Sequence, residues 1–239
     1  MMNSNGIEDV FPITDGLIVW LDGRDGATGD TCWVNRVNQS VNMFFKTGGI
    51  ATDFVGKFEN GYYVSDDSSG ILTLEEPLQP PYSILIFSEQ LDWEKNLSYC
   101  RFFDFKKIET NSSACRVENG TAGGGIFYIG QNGRDTSIVK PYLSYDSVGK
   151  ANLAFTVKEE KDSWYFNSYV RCNESIGVVK GAGGSNSTIG NTLLLNRESL
   201  TYSMIKPQKY GAIYIYNREL SEEEIDSIFE YEQSIERGE

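Results

Sequence analysis

The sequence predicts an all-β protein: a two-sheet antiparallel β-sandwich of jelly-roll type, about six or seven strands per sheet, with a short C-terminal helix. Three observations carry that expectation. From Tyr210 to Tyr216, alternation puts Ala212, Tyr214 and Tyr216 on one face and Ile213 and Ile215 on the other, so neither face is polar. A strand apolar on both sides belongs between layers. Short apolar runs are punctuated by 24 glycines and many Asn, Asp and Ser residues, the composition of turns between short strands. The 239 residues are 40% hydrophobic and 13% aromatic, enough for one continuous core. With no internal repeat and no linker, one domain is expected over residues 15–239, after an arm over residues 1–14.

The arm is polar except for Val10, Phe11 and Ile13, which are expected to tether it to a neighbour or to the domain edge. Gly16 to Asp22, GLIVWLD, is the first strand, with Leu17, Val19 and Leu21 on one side and Ile18 and Trp20 on the other. Cys32 to Phe45 continues with Trp33, Val37, Val41 and Phe44; further strands are expected at Ala51 to Val55, Gly61 to Val64 and Ile71 to Leu74. Tyr82 to Phe87, YSILIF, is a continuous apolar run suited to a sheet centre, and Pro80 and Pro81 end what precedes it.

Leu97 to Phe105 alternates imperfectly, and polar residues 106 to 124 read as a long loop ending in GTAGGG. Gly125 to Gly130 and Ile138 to Tyr145 are expected strands around the hairpin pair Asn132-Gly133. Asn152 to Val157 and Ser163 to Val170 form another pair joined by the charged turn KEEKD. Gly181 to Gly184 reads as a glycine-rich turn, and Ser187 to Ile189, Leu193 to Leu195 and Leu200 to Ile205 as strands leading to Tyr210. At Ser221 the period changes. Ser221 with Glu224 is a capping box, Glu222 and Glu223 complement the helix dipole, and Ile225, Ile228 and Phe229 make one apolar stripe. The rest of the acidic helix, to Glu236, is expected to face water.

Gly211, Tyr216, Asn217, Arg218, Leu220, Ser221 and Glu224 stand in an order and spacing that resembles the closing segment of laminin-G-like and pentraxin-like domains of the concanavalin A-like lectin/glucanase superfamily. The opening Gly16-Leu17-x-x-Trp20-x-Asp22 is similar to the first strand of the same domains. So are FVGKFENGYYV, residues 54–64, and Ala154 to Val157 with Trp164, Tyr165 and Asn167. The resemblance covers nearly the whole chain, strongly at both ends and weakly between residues 90 and 140. It implies a concanavalin A-like sandwich whose first and last strands are neighbours.

Composition narrows the chemistry. With no histidine there is no Ser-His-Asp or Cys-His catalysis and no imidazole metal site. Cys32, Cys100, Cys115 and Cys172 lie far apart without a C-x-x-C pair, so they are expected to be buried thiols. A formal charge of −13 opposes nucleic-acid phosphate and anionic membranes, so neither is an expected partner. The N-terminal stretch lacks a basic start and an apolar core, and no run approaches a membrane span, so synthesis in the cytosol is expected. Sequons at Asn38, Asn96, Asn111, Asn119, Asn173 and Asn186 read as incidental in that setting.

Candidate sites follow from neighbourhood. The loop DGRDGATGD carries Asp22, Asp25 and Asp30 and can offer oxygen ligands to Ca2+, although its spacing is not that of an EF-hand and no cofactor is otherwise expected. Sugar faces stack on exposed rings, and Trp93 and Tyr99 sit among polar residues, with Tyr142 and Tyr145 beside Asp146 as a second group. The resemblance implies that hydrolytic members carry carboxylates at alternate positions of one strand. Here only Asp92-Trp93-Glu94 approaches that run.

A non-catalytic recognition or assembly module is therefore expected. Its expected setting is a bacteriophage virion, as a decoration, fibre or tail protein made in the host cytoplasm, with other virion proteins or a surface glycan as partners and oligomerisation open. A stand-alone lectin of the bacterial cytoplasm or cell surface is the alternative, and a glycoside hydrolase the third.

Overall fold

The computed structural model describes residues 11–46, 55–65, 69–90, 101–107, 112–120, 124–129, 150–160, 163–172, 175–183, 190–195 and 208–237. Among them the strands are β1 (Leu17–Asp22), β2 (Cys32–Trp33), β3 (Met43–Lys46), β4 (Phe58–Glu59), β5 (Tyr62–Val64), β6 (Ser69–Leu78), β7 (Tyr82–Gln90) and β8 (Arg101–Lys107). They continue with β9 (Ser112–Gly120), β10 (Gly124–Ile129), β11 (Lys150–Glu160), β12 (Ser163–Cys172), β13 (Ser175–Gly183), β14 (Gly190–Leu195) and β15 (Gln208–Tyr216), and helix α1 (Glu222–Ser234) closes the chain. All pairings are antiparallel.

Two sheets result. An 8-stranded sheet runs β13, β12, β11, β7, β15, β5, β4, with β1 also beside β15; a 7-stranded sheet runs β10, β9, β8, β14, β6, β3, β2. The first and last strands are neighbours: Val19 faces Ile215, Trp20 faces Tyr214 and Leu21 faces Ile213. This is the two-sheet antiparallel sandwich with a C-terminal helix that the sequence predicts.

The 8-stranded sheet is covered on both faces. Its inner face sends Val19, Leu21, Ile84, Ile86, Leu153, Phe155, Val157, Ile213 and Ile215 into a core shared with Trp33, Met43, Phe45, Leu72, Phe103, Phe105, Leu193 and Leu195 of the other sheet. Alternate residues point the other way: Leu85, Phe87, Ala154, Ala212, Tyr214 and Tyr216 form a second layer with Leu220, Ile225, Ile228 and Phe229 of the helix segment. Aliphatic strands β7 and β15 are apolar on both sides because both sides are roofed.

The helix is placed by its start. Ser221 accepts from the Glu224 amide and Glu224 accepts from the Ser221 amide, a complete capping box. The buried Ser83 hydroxyl donates to the Arg218 carbonyl and accepts from the Leu220 amide, fixing the turn from β15 into α1. Arg218 reaches Glu224 at 2.7 Å and Asp15 at 3.0 Å, so the Tyr-Asn-Arg segment ties helix start to arm.

Several expectations are corrected. The register of β1 shifts between Leu17 and Val19, so Leu17 packs with the outer layer and Ile18 with the inner core, the reverse of strict alternation. A second shift between Tyr210 and Ala212 turns Tyr210 inward onto Tyr63. Residues 106–124, expected as loop, contain β9, laddered to β8 and β10. Its Ser, Asn and Gly residues hide the strand pattern, yet their backbone groups pair as well as any. Gly181–Gly183 is not a turn but the end of β13, opposite Trp164 to Phe166, for the same reason.

Val37 and Phe44, read as part of an apolar run, are exposed, whereas Trp33 and Val41 are buried. Cys32 is only half-buried, and the side chains of the other three cysteines lie outside the described residues, as do the expected strands at 138–145, 187–189 and 200–205, the Asn132-Gly133 turn and all of the expected strand 51–55 except Val55, which is exposed and in no strand. Among the described residues no helix is long and apolar enough to cross a membrane.

Candidate functional site

The chain brings its least ordinary chemistry together at one end of the outer layer, where β1, β15, α1 and the residues that flank them meet. Asp22 ends β1 with its side chain fully buried. Arg24, one turn on, donates from Nε to both carboxylate oxygens at 3.0 Å. Arg36 lies 3.2 Å away and Arg237, beyond the helix, 3.7 Å away. Burial pushes the Asp22 carboxyl up, but the Arg24 hydrogen bond and the Arg36 and Arg24 charges outweigh it, leaving the group below its ordinary value.

Arg237 is the other hub. It donates to Glu232 at 2.7 Å, to the Gly61 carbonyl at 3.2 Å and to the Gly211 carbonyl at 3.1 Å. Burial lowers its guanidinium pKa, but Glu232 and Asp22 outweigh that, so the net shift is upward. Glu232 also accepts from the Tyr214 hydroxyl, whose titration is pushed well up by burial and then by Glu232. Gly211 makes room for this: a Cβ there would stand 2.9 Å from Arg237 Nε and 3.2 Å from the Tyr62 ring. Glu232, read from sequence as part of a solvated acidic face, is thus a buried acceptor, because the chain after α1 folds back over it.

Rings surround the cluster. The Arg36 guanidinium lies 4.4 Å over Trp20, and Arg24 is a close neighbour of Tyr231. Phe11 closes the group, stacked 4.9 Å from Tyr214, 4.6 Å from Trp20 and edge-on to Tyr231 at 5.1 Å. Phe11 and Ile13 of the arm therefore pack on the domain edge, while Val10 lies outside the described residues. Beside Arg237 a cleft of about 30 Å³ is lined by Tyr62, Phe87, Ser88, Asn152, Glu232 and Gln233. That room suits one water rather than a sugar ring.

The expected cation ligands do not converge. Asp22 is held by arginines, Asp25 pairs with Arg36 at 2.8 Å, and Asp30 accepts from the Ala27 amide at 2.6 Å, closing its own turn. Three guanidinium groups around Asp22 repel a divalent ion. Among the described residues no group of three or more His, Cys, Asp or Glu side chains could hold a metal. Trp93, Tyr99, Tyr142 and Tyr145, like Asp92 and Glu94, lie outside the described residues.

One further buried pair faces outward from the 7-stranded sheet, where Phe103 and Phe105 point inward and Asp104 and Lys106 point out. Lys106 Nζ is 3.3 Å from Asp104, and both are almost fully buried. Neither this pair nor the arginine cluster is legible as a site in sequence, since each carboxylate meets its cation through a turn or a sheet face rather than a motif.

No family model matches the chain, and no curated protein matches it in sequence. Among solved structures it is similar to Trypanosoma rangeli sialidase in complex with sialic acid, with a TM-score of 0.57 at 11% identity over 92% of this chain and 33% of that chain. It is also similar to the receptor binding domain of botulinum neurotoxin mosaic serotype C/D, at TM-score 0.50 and 12% identity, over 92% of this chain and 51% of that chain. The chain spans about a third of the sialidase and about half of the toxin chain. At these identities the likeness is one of fold, and these neighbours are β-sandwiches of lectin-like type.

Proposed function

We propose that the protein is a non-catalytic recognition or assembly module of the concanavalin A-like, laminin-G-like kind, set in a bacteriophage virion. The observation that carries this reading is how its buried charges are spent. Among the described residues, Asp22, Glu232 and Asp104 each meet a guanidinium or ammonium group. Glycoside hydrolysis instead needs two carboxyl groups facing one gap of about 5 to 9.5 Å. A sandwich whose charges hold its layers together is suited to presenting a surface.

The residues we assign to binding are Trp93 and Tyr99, with Tyr142 and Tyr145 as a second candidate group, and the ligand class is a bacterial surface glycan. Binding to an array of bacterial polysaccharides tests it: the expected result is a signal lost in Trp93→Ala. Silence across the array removes the glycan, and sugar release that disappears in Glu94→Gln removes the non-catalytic reading altogether. The virion setting has its own test, mass spectrometry of purified particles of the encoding phage. Absence of this chain from them overturns it.

A further inference from the structure

The arm and the ring cluster beneath it form a separable pair. Phe11 is 6% exposed, yet Pro12, Thr14 and Asp15 beside it are exposed. Its receptor is built by three elements, with Trp20 from β1, Tyr214 from β15 and Tyr231 from α1. Behind the rings, Arg36 of the Asp22 cluster lies over Trp20, and Glu232 holds the Tyr214 hydroxyl. The box is therefore braced independently of the ring that fills it.

Among the described residues the arm is also held by Ile13, packed on the outer layer, and by polar contacts. The Tyr216 hydroxyl donates to the Ile13 carbonyl at 3.0 Å, and Arg218 engages the carbonyl and carboxylate of Asp15 at 2.9 and 3.0 Å. Each links the arm to residues some two hundred positions away, so none depends on the arm belonging to the same chain. The pivot is Gly16 at φ +73°, where β1 begins and the Asn217 amide holds the Gly16 carbonyl at 2.9 Å. The Trp20 indole N–H is buried without an acceptor among the described residues.

We infer that the Trp20, Tyr214 and Tyr231 box is an exchangeable docking site. It holds residues 11–16 of its own chain at low concentration and the same residues of a second copy when copies are crowded. Reciprocal exchange adds no new contact and needs no new strain. A short tether gives the cis arm an effective concentration on the order of millimolar, so trans docking takes over where copies are packed as densely as that. Five extended residues span at most roughly 17 Å, so the partner must approach with its own Gly16 within that distance of the box. The charge of −13 opposes that approach, and salt therefore favours it. The inference deepens the assembly reading, but peptide docking reads the box itself, so either can fail without the other.

The probe is a capped, C-terminally dye-labelled peptide of residues 11–16, titrated by fluorescence anisotropy. Phe11→Ala protein, with its box empty, is expected to bind it saturably, and the peptide with Ala in place of Phe to bind about tenfold or more weakly. Wild-type protein is expected to bind it about tenfold or more weakly than Phe11→Ala protein, since its own arm competes. In light scattering at rising concentration in raised salt, wild type is expected to form dimers and Phe11→Ala to stay monomeric. No saturable binding to a folded Phe11→Ala protein, or equal dimerisation of the two, overturns the inference. Should Phe11→Ala fail to fold, Phe11→Leu keeps an apolar plug without the stacked ring. It must then take up the peptide more readily than wild type, and equal refusal overturns the inference.

Discussion

The two layers that sandwich the 8-stranded sheet are closed by different means. The inner one is a field of apolar side chains from both sheets, with Trp33, Phe45, Phe58 and Tyr63 packed ring against ring at 4.6 to 5.9 Å. The Trp33 indole donates to the Asp22 carbonyl at 2.8 Å. The outer layer is narrower, roofed by a 13-residue helix and a short arm, and its margin is sealed by Asp22, Arg24, Arg36, Glu232 and Arg237. Area holds the inner layer; a few charged groups hold the outer one. Stability should then respond to volume on one side and to charge on the other.

The hardest blow to the inner layer is Trp33→Ala, which leaves a cavity and frees the Asp22 carbonyl. It is expected to cost about 3–5 kcal/mol in denaturant unfolding, with no dependence on pH between 3 and 7 beyond that of the parent. A loss below about 1 kcal/mol would mean the inner layer collapses around the gap, contrary to its packing.

Asp22→Asn probes the margin of the outer layer. Because the Asp22 carboxyl titrates below its ordinary 3.8 when folded, its contribution is present above that value and fades as pH falls through the lower folded one. At pH 7 the variant is expected to lose about 2–3 kcal/mol, the guanidinium groups of Arg24 and Arg36 being partly within reach of water. The gap between variant and parent should narrow steadily below about pH 4. A gap that stays constant down to pH 2 would assign the loss to shape rather than charge.

Ser221→Ala removes one half of the capping box and should cost about 1 kcal/mol. Amide exchange would read the loss in the first turn of α1, leaving β7 and β11 unchanged. If the loss spread to those strands, the helix would be part of the inner unit, and the distinction between the layers would fall.

The same contrast explains what could be read in advance. Central strands announce themselves by being apolar on both faces, so YSILIF and YGAIYIY identify two of them, and the ends of the chain identify each other through the resemblance they share. The capping box at Ser221 is local and was equally plain. The Leu17 register shift leaves no compositional trace, and Ser112–Gly120 and Gly181–Gly183 look like turns because ladders use backbone groups that every residue carries. The arginine cluster was hidden for a topological reason: Asp22 and Arg237 are separated by almost the whole chain. Glu232 sits among acidic residues that do face water, and the Tyr214 hydroxyl and the returning Arg237 distinguish it.

The pairing of β1 with β15 sets how the fold answers a pull on its two ends. Leu17 faces Tyr216, so traction applied there acts across the ladder and peels it one hydrogen bond at a time instead of shearing all of them together. Tension from the C-terminal side first meets Arg237, anchored at Gly61 and Gly211 near the opposite end of β15. The guanidinium thus acts as a strain relief, shielding a seam that is otherwise weak in that direction until the salt link to Glu232 gives way.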